Sequence, residues 1–165
     1  MLDIDILKSL NCSRTVIEHC IAVSENSIEI ADRVKPETDK ELIMRGAMLH
    51  DIGRCKTQGI FHGIEGAKII RELGLGEKIA KIAERHIGAG ITRDEAEKIG
   101  LPPGDFCPKS REEKIVAYAD NLTKGAKTIS FNESIAKFKK ILGKNHPSLK
   151  RMEELHREIQ SWIRG

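Results

Sequence analysis

Four of the six histidines, His19, His50, His62 and His86, fall on or beside apolar helical stripes. A carboxylate, Asp51, follows His50 directly, and a second, Asp120, falls on the inner side of a later helical stretch. Each alone has an ordinary explanation, a hydrogen-bonded core histidine or a capping aspartate. Together in one small core they are costly, because buried charge must be paired or bound to a metal. A metal centre satisfies all six groups at once. Neutral imidazole and carboxylate suit borderline transition metals: Fe, Mn, Co, Ni or Zn. A carboxylate can bridge two ions, which imidazole cannot. Two ions about 3.5–4 Å apart clamp a phosphoryl group and generate hydroxide near neutral pH.

Other chemistries lack their residues. There is no GxxxxGK[ST] loop, no GxGxxG and no GxSxG, which excludes P-loop, dinucleotide-binding and esterase-elbow readings. Gly88-Ala89-Gly90 is too short to cradle a phosphate. The cysteines, Cys12, Cys20, Cys55 and Cys107, show no CxxC spacing, so a zinc ribbon is not expected. Six positions after each stand Glu18, Asn26, Phe61 and Glu113 rather than arginine, which excludes a phosphatase-type cysteine nucleophile. They read as free thiols of a reducing compartment.

The elements that must position the six groups read as helices joined by short loops, with no period-two strand. Helices are expected over 2–10, 13–34, 38–50, 63–74, 77–87, 132–142 and 148–163, with two more starting at Thr92 and Ser110. Apolar residues cover more than one face of 13–34, as in a central, buried helix. Thr38-x-x-Glu41, Thr92-x-x-Glu95 and Ser110-x-x-Glu113 are capping-box patterns. Gly53 is the expected stop of the third helix. His86 is expected on the inner stripe of 77–87, beside Ile79, Ile82 and Ala83. His146 and His156 read as surface residues.

The 165 residues are 39% hydrophobic, which excludes a disordered chain and suits one domain. No apolar stretch is long enough to span a membrane, and the acidic N-terminus lacks a signal-peptide pattern. A cytoplasmic protein without membrane contact is expected. Net charge is +3, unevenly placed. Residues 124–165 carry ten Lys/Arg against four Asp/Glu, a net of +6. A basic third of this kind attracts phosphates or nucleic acid, although a solvated helical face has the same composition. Aromatic residues are only 4%, too few for a single-strand stacking platform.

His19, then His50-Asp51-Ile52-Gly53, then Asp120 resembles the HD-domain superfamily of metal-dependent phosphohydrolases, over roughly Ser13 to Lys127. The stretches His62-Gly63-Ile64-Glu65-Gly66-Ala67 and Tyr118-Ala119-Asp120-Asn121 belong to the likeness. The pattern is similar to bacterial HD-type hydrolases of diadenosine tetraphosphate, and closer still to small archaeal HDIG proteins. The resemblance implies an all-α bundle with a buried metal centre, the core in 13–127 and basic helices over 132–163, all in a single HD domain spanning 1–165. It implies that His19, His50, Asp51 and Asp120 hold one divalent metal. His62 and His86 match the extra histidines of the two-metal branches, in which Asp51 would bridge and position hydroxide. Two features depart from the usual pattern. Arg54 stands where many members have lysine, and the interval from Asp51 to His62 is short.

The expected activity is hydrolysis of a phosphoester or phosphoanhydride of a nucleotide or dinucleotide by metal-bound hydroxide. Arg54, Lys56 and Lys124 are the candidates to hold substrate phosphates, Lys124 one helical turn after Asp120. Two alternatives stay open. One is a non-catalytic metal-containing module that binds nucleotide or nucleic acid through the basic C-terminal region. The other, implied by HD-fold proteins with the same six ligands, is a di-iron oxygenase. The residues fix neither the physiological substrate nor the oligomeric state.

Overall fold

A computed structural model describes residues 1–165. Nine helices carry the chain: α1 Asp3–Ser9, α2 Arg14–Arg33, α3 Lys40–Leu49, α4 His62–Glu72, α5 Glu77–Glu84, α6 Arg93–Lys98, α7 Arg111–Asn121, α8 Phe131–Leu142 and α9 Pro147–Arg164. A 3-10 turn, Ile52–Cys55, follows α3. Two two-residue strands, β1 Thr123–Lys124 and β2 Lys127–Thr128, pair antiparallel after α7. They are too short for alternation to be visible in the sequence. No helix is long and apolar enough to cross a membrane.

Helix starts follow their capping residues. Ser13, Ser110 and Ser130 each accept the backbone N–H three residues on, which satisfies a donor the helix leaves free. The Thr92 and Ser130 caps are full capping boxes with Glu95 and Glu133. Two expectations need correction. Asp39, not Thr38, caps α3, accepting from Leu42 N. Ser110 caps α7, but Glu113 does not reciprocate: its carboxylate turns to Arg85 and to the Lys109 N–H.

Two apolar clusters fill the interior. One gathers Val23, Ile43, Ile82, Ile115, Met152 and Ile159. The other gathers Leu7, Cys20, Leu49, Ile52, Ile70 and Ile79. Helices α2, α3 and α5 contribute to both, which makes α2 the central element its all-round hydrophobicity suggests. At Gly46 the α3 backbone passes so close to Ile82 of α5 that a Cβ would overlap its side chain. This close approach draws together the ends of α3 and α5, where His50 and His86 follow.

Helix α5 stops at Glu84, so His86 lies just past the helix rather than on its stripe. Arg85 explains the early end: it leaves the helix path and pairs with Glu113 on α7 at 3.0 Å. Neither C-terminal histidine is a bystander. His146 caps α9 through Nδ1, which accepts from Ser148 N. His156 stacks on Phe131 at 3.9 Å and accepts the Tyr118 hydroxyl through Nδ1 at 2.6 Å.

Candidate metal centre

The six side chains come from five stretches of the chain and converge. His19 projects from the middle of α2 and Asp120 from the last turn of α7, while His50 and Asp51 leave the end of α3. His62 opens α4, and His86 follows α5. His50, Asp51, His62 and His86 are buried, at 0%, 4%, 5% and 2% exposure.

All four imidazoles are oriented the same way. Each Nδ1 meets a backbone carbonyl: His19 at Gly125 (2.6 Å), His50 at Ala47 (2.6 Å), His62 at Gly59 (2.8 Å) and His86 at Ala83 (2.6 Å). A carbonyl only accepts, so each Nδ1 carries the proton and donates. Each Nε2 is thereby left to present a lone pair to the centre, the arrangement that prepares a histidine to ligate metal.

Asp51 divides the inward atoms into two groups. Its Oδ1 lies 3.2 Å from both His62 Nε2 and His86 Nε2. Its Oδ2 lies 3.7 Å from both His19 Nε2 and His50 Nε2. Asp120 Oδ1 closes the second group, 2.9 Å from His19 Nε2 and 3.4 Å from His50 Nε2.

The electrostatics favour a cation. Burial raises the Asp51 carboxyl, yet His50, His62 and His86 around it hold it well below the usual carboxylate range. Asp120 is lowered too, because its neighbours His50 and His19 outweigh its burial. Burial pushes His86 below its ordinary value. Burial also acts on His50, but Asp51 and Asp120 overcome it and raise that imidazole. His50 Nε2 and Asp51 Oδ1 are buried with no hydrogen-bond partner. Orphaned buried groups of this kind are rare and call for a partner such as a bound ion. Four imidazole nitrogens and two carboxylates with an orphaned inward pair fit one or two divalent transition metals.

The centre opens into a cleft of about 310 Å³. Arg54 lines it and donates from Nε to Asp51 Oδ2 at 3.1 Å. Lys124 lines it as well, but from β1 of the hairpin, since α7 ends before a further turn could carry it. Lys56, exposed after the 3-10 turn, does not line the cleft.

Several cleft residues were not foreseen. Lys137 and Phe138 reach it from α8. Asn121 lines it and donates to Gly88 O. Only the adjacency of a cation and an aromatic in a basic helix hinted at the α8 pair. Asn26 on α2 holds the hairpin: its amide donates to Thr123 Oγ1 at 2.8 Å and accepts from Thr128 Oγ1 at 3.0 Å.

The HD domain family model matches residues 16–125. A protein of Methanocaldococcus jannaschii described as uncharacterized is 55% identical over 164 residues, covering 98% of this chain and 96% of that one. The tRNA (cytidine(56)-2'-O)-methyltransferase of Picrophilus torridus is 42% identical over 157 residues, 94% of this chain but 45% of the enzyme. That of Thermoplasma volcanium is 42% identical over 137 residues, 83% of this chain and 40% of the enzyme. The chain thus spans less than half of either methyltransferase. Two crystal structures of the L. monocytogenes phosphodiesterase PgpH HD domain share the fold. One has a TM-score of 0.55 at 18% identity, covering 96% of this chain and 98% of that one. The other, in complex with cyclic-di-AMP, has a TM-score of 0.60 at 16% identity, covering 95% and 94%. With the family model matched across the stretch from α2 to β1, the chain belongs to the HD domain family.

Proposed function

We propose that the protein is a metal-dependent phosphohydrolase that cleaves a phosphoester or phosphoanhydride of a nucleotide. The observation that carries this reading is Asp51, whose two carboxylate oxygens each face a separate pair of Nε2 atoms. One or two divalent metals held by His19, His50, Asp51, His62, His86 and Asp120 would supply a Lewis acid and a water of lowered pKa.

The chain's own residues do the rest. The Nδ1–carbonyl bonds fix the imidazoles before any ligand arrives, so the centre does not reorganise during reaction. Arg54 orients Asp51 through Nε and is tied to Gln58 O through Nη1, which leaves Nη2 to donate to a phosphoryl oxygen in the cleft. Lys124 and Lys137 add positive charge on the facing walls. Burial around His50 and His86 excludes bulk water and strengthens each of these interactions.

Family membership supports the reading, as does the phosphodiesterase whose HD domain was solved with cyclic-di-AMP. A second reading, that the phosphoester belongs to RNA, is favoured by the two tRNA methyltransferases that contain a similar stretch. Lys124, Lys137 and Lys140 around a neighbouring depression would suit a longer polyanion.

The test is turnover by anaerobically purified protein loaded with Mn²⁺ or Fe²⁺, on nucleoside monophosphates, dinucleoside polyphosphates, cyclic dinucleotides and tRNA. Hydrolysis by the wild type and its loss together with bound metal in Asp51→Asn is the expected result. Wild-type-like turnover in Asp51→Asn overturns the metal mechanism. A reaction that requires oxygen points to the oxygenase. Salt-dependent RNA binding without cleavage points to the binding module.

A further inference from the structure

Beside the polar cleft lies a second cavity, of about 460 Å³. It falls within the range of small-molecule sites. The two adjoin: Ile87, Gly88 and Phe138 line both. Their linings differ in kind. The cleft is bounded by histidines, carboxylates and the cations Arg54, Lys124 and Lys137. The cavity is bounded on half its residues by hydrophobic side chains, with Lys98, His146 and Ser148 among the polar ones.

A third of the cavity lining, four residues of twelve, comes from beyond the family-matched stretch, which ends at residue 125. Phe138 and Leu142 come from α8, and His146 and Ser148 from the entry to α9. Several of its walls stay in contact with water. Ile60 is 37% exposed, Ile99 48% and Leu142 37%. Contiguous exposed apolar side chains of this kind are costly and mark a binding surface. Lys137 and Phe138 are neighbours on α8, and the ammonium lies 5.1 Å from the ring centroid. One helix therefore supplies a cation to the cleft and an aromatic face to the seam.

We propose that this cavity binds the base of a nucleotide whose phosphate lies in the cleft, with Phe138, Ile87 and Ile99 as the residues that select for it. The proposal rests on the phosphohydrolase reading and names what that reading leaves open, the site of substrate selection. The occupant follows from the two linings taken together. A nucleotide is anionic at one end and a flat, largely apolar ring with hydrogen-bonding edges at the other, one sugar apart. Polar side chains at the cavity wall suit those edges, whereas an alkyl chain leaves them unpaired.

The experiment compares 5′-nucleoside monophosphates, ribose 5-phosphate, hexyl phosphate and free nucleosides on the Zn²⁺-loaded 165-residue protein. Affinities come from calorimetry, and contact sites from amide chemical shifts. Ribose 5-phosphate keeps the sugar and phosphate and lacks the base. At least one nucleotide is expected to bind tenfold or more tighter than ribose 5-phosphate and to shift the amides of Ile91 and Ile99. In Ile99→Trp, which fills the cavity from an exposed helix end, nucleotide affinity is expected to fall to that of ribose 5-phosphate. Phe138→Leu, which keeps an apolar side chain against the core, is expected to weaken the preference in the same sense.

Equal affinity for nucleotides and ribose 5-phosphate overturns the proposal. So does a preference for hexyl phosphate, or a nucleotide preference that survives Ile99→Trp. Failure of the phosphohydrolase reading looks different: ribose 5-phosphate does not bind, while nucleosides still shift Ile91 and Ile99, which upholds the base site. Silence from phosphates and nucleosides alike removes both.

Discussion

Gly53 and His62 are in backbone contact. A Cβ on Gly53 would overlap the His62 carbonyl oxygen and stand 2.6 Å from the Gly66 amide nitrogen. The 3-10 turn after Asp51 is thereby laid directly against the first turn of α4. This contact lets a short interval carry the chain from Asp51 back to His62, whose Nε2 then reaches Asp51 Oδ1. Gly53 had the look of a helix stop, but α3 ends at Leu49, and the glycine serves the close approach instead.

Gly53→Ala is therefore expected to be costly, although alanine favours helix. Forcing the turn from α4 should lower stability by about 1–3 kcal/mol, the usual cost of overpacking. Chemical denaturation checks this, and the same variant should bind less metal because His62 moves with its backbone.

Metal content per chain should follow the division of ligands by Asp51. Elemental analysis is expected to give two ions for the wild type and one each for His86→Ala and His50→Ala, since each removes a ligand from one side of Asp51. One ion that is insensitive to His86→Ala indicates a mononuclear centre. Chelation should lower the melting temperature, since an ion held only by the folded state stabilises it.

Asn26 touches none of the six inward atoms, yet it holds the hairpin that brings Gly125 O to His19 Nδ1. Asn26→Ala is expected to weaken metal affinity by about 10–100-fold, as losses of outer support do. Helix content by circular dichroism should be unchanged, and Asn26→Gln should fail to rescue because its amide stands one methylene too far out.

His156 bonds the buried Tyr118 hydroxyl at 2.6 Å, beside a longer bond from Gln160 Nε2 at 3.5 Å, and stacks on Phe131. His156→Ala should cost about 1 kcal/mol, the loss of the shorter of the hydroxyl's two bonds. Adding Tyr118→Phe to that variant should recover part of it, which a double-mutant cycle measures.

Glu95 ties α6 to α9 through Arg151, at 2.7 Å. Burial raises its carboxyl, but Arg151 and the Thr92 N–H outweigh this and leave it below the usual glutamate range. A lowered carboxylate stabilises the fold above its unfolded pKa and loses that contribution as pH falls through the folded value. The stability gap between wild type and Arg151→Met should therefore be widest near neutral pH and narrow under acid, as melting curves across that range will show.

Much of this protein is local in origin and legible in its residues. The helices, the Thr92 and Ser110 caps and the six chemistry-bearing side chains follow from spacing, because periodicity and capping depend on neighbours a few positions away. The sequence by itself determined which donors are present, a set suited to a borderline metal. What escaped it depended on contacts between distant segments. Arg85 leaves α5 early because Glu113, far along the chain, receives it. Lys124 reaches the cleft through a hairpin held by Asn26 rather than along a helix. Lys56, close to the centre in sequence, points elsewhere, while Lys137 and Phe138, remote in sequence, line the cleft. Tertiary structure alone decided these placements, since which side chains share a cavity is set by how the helices pack.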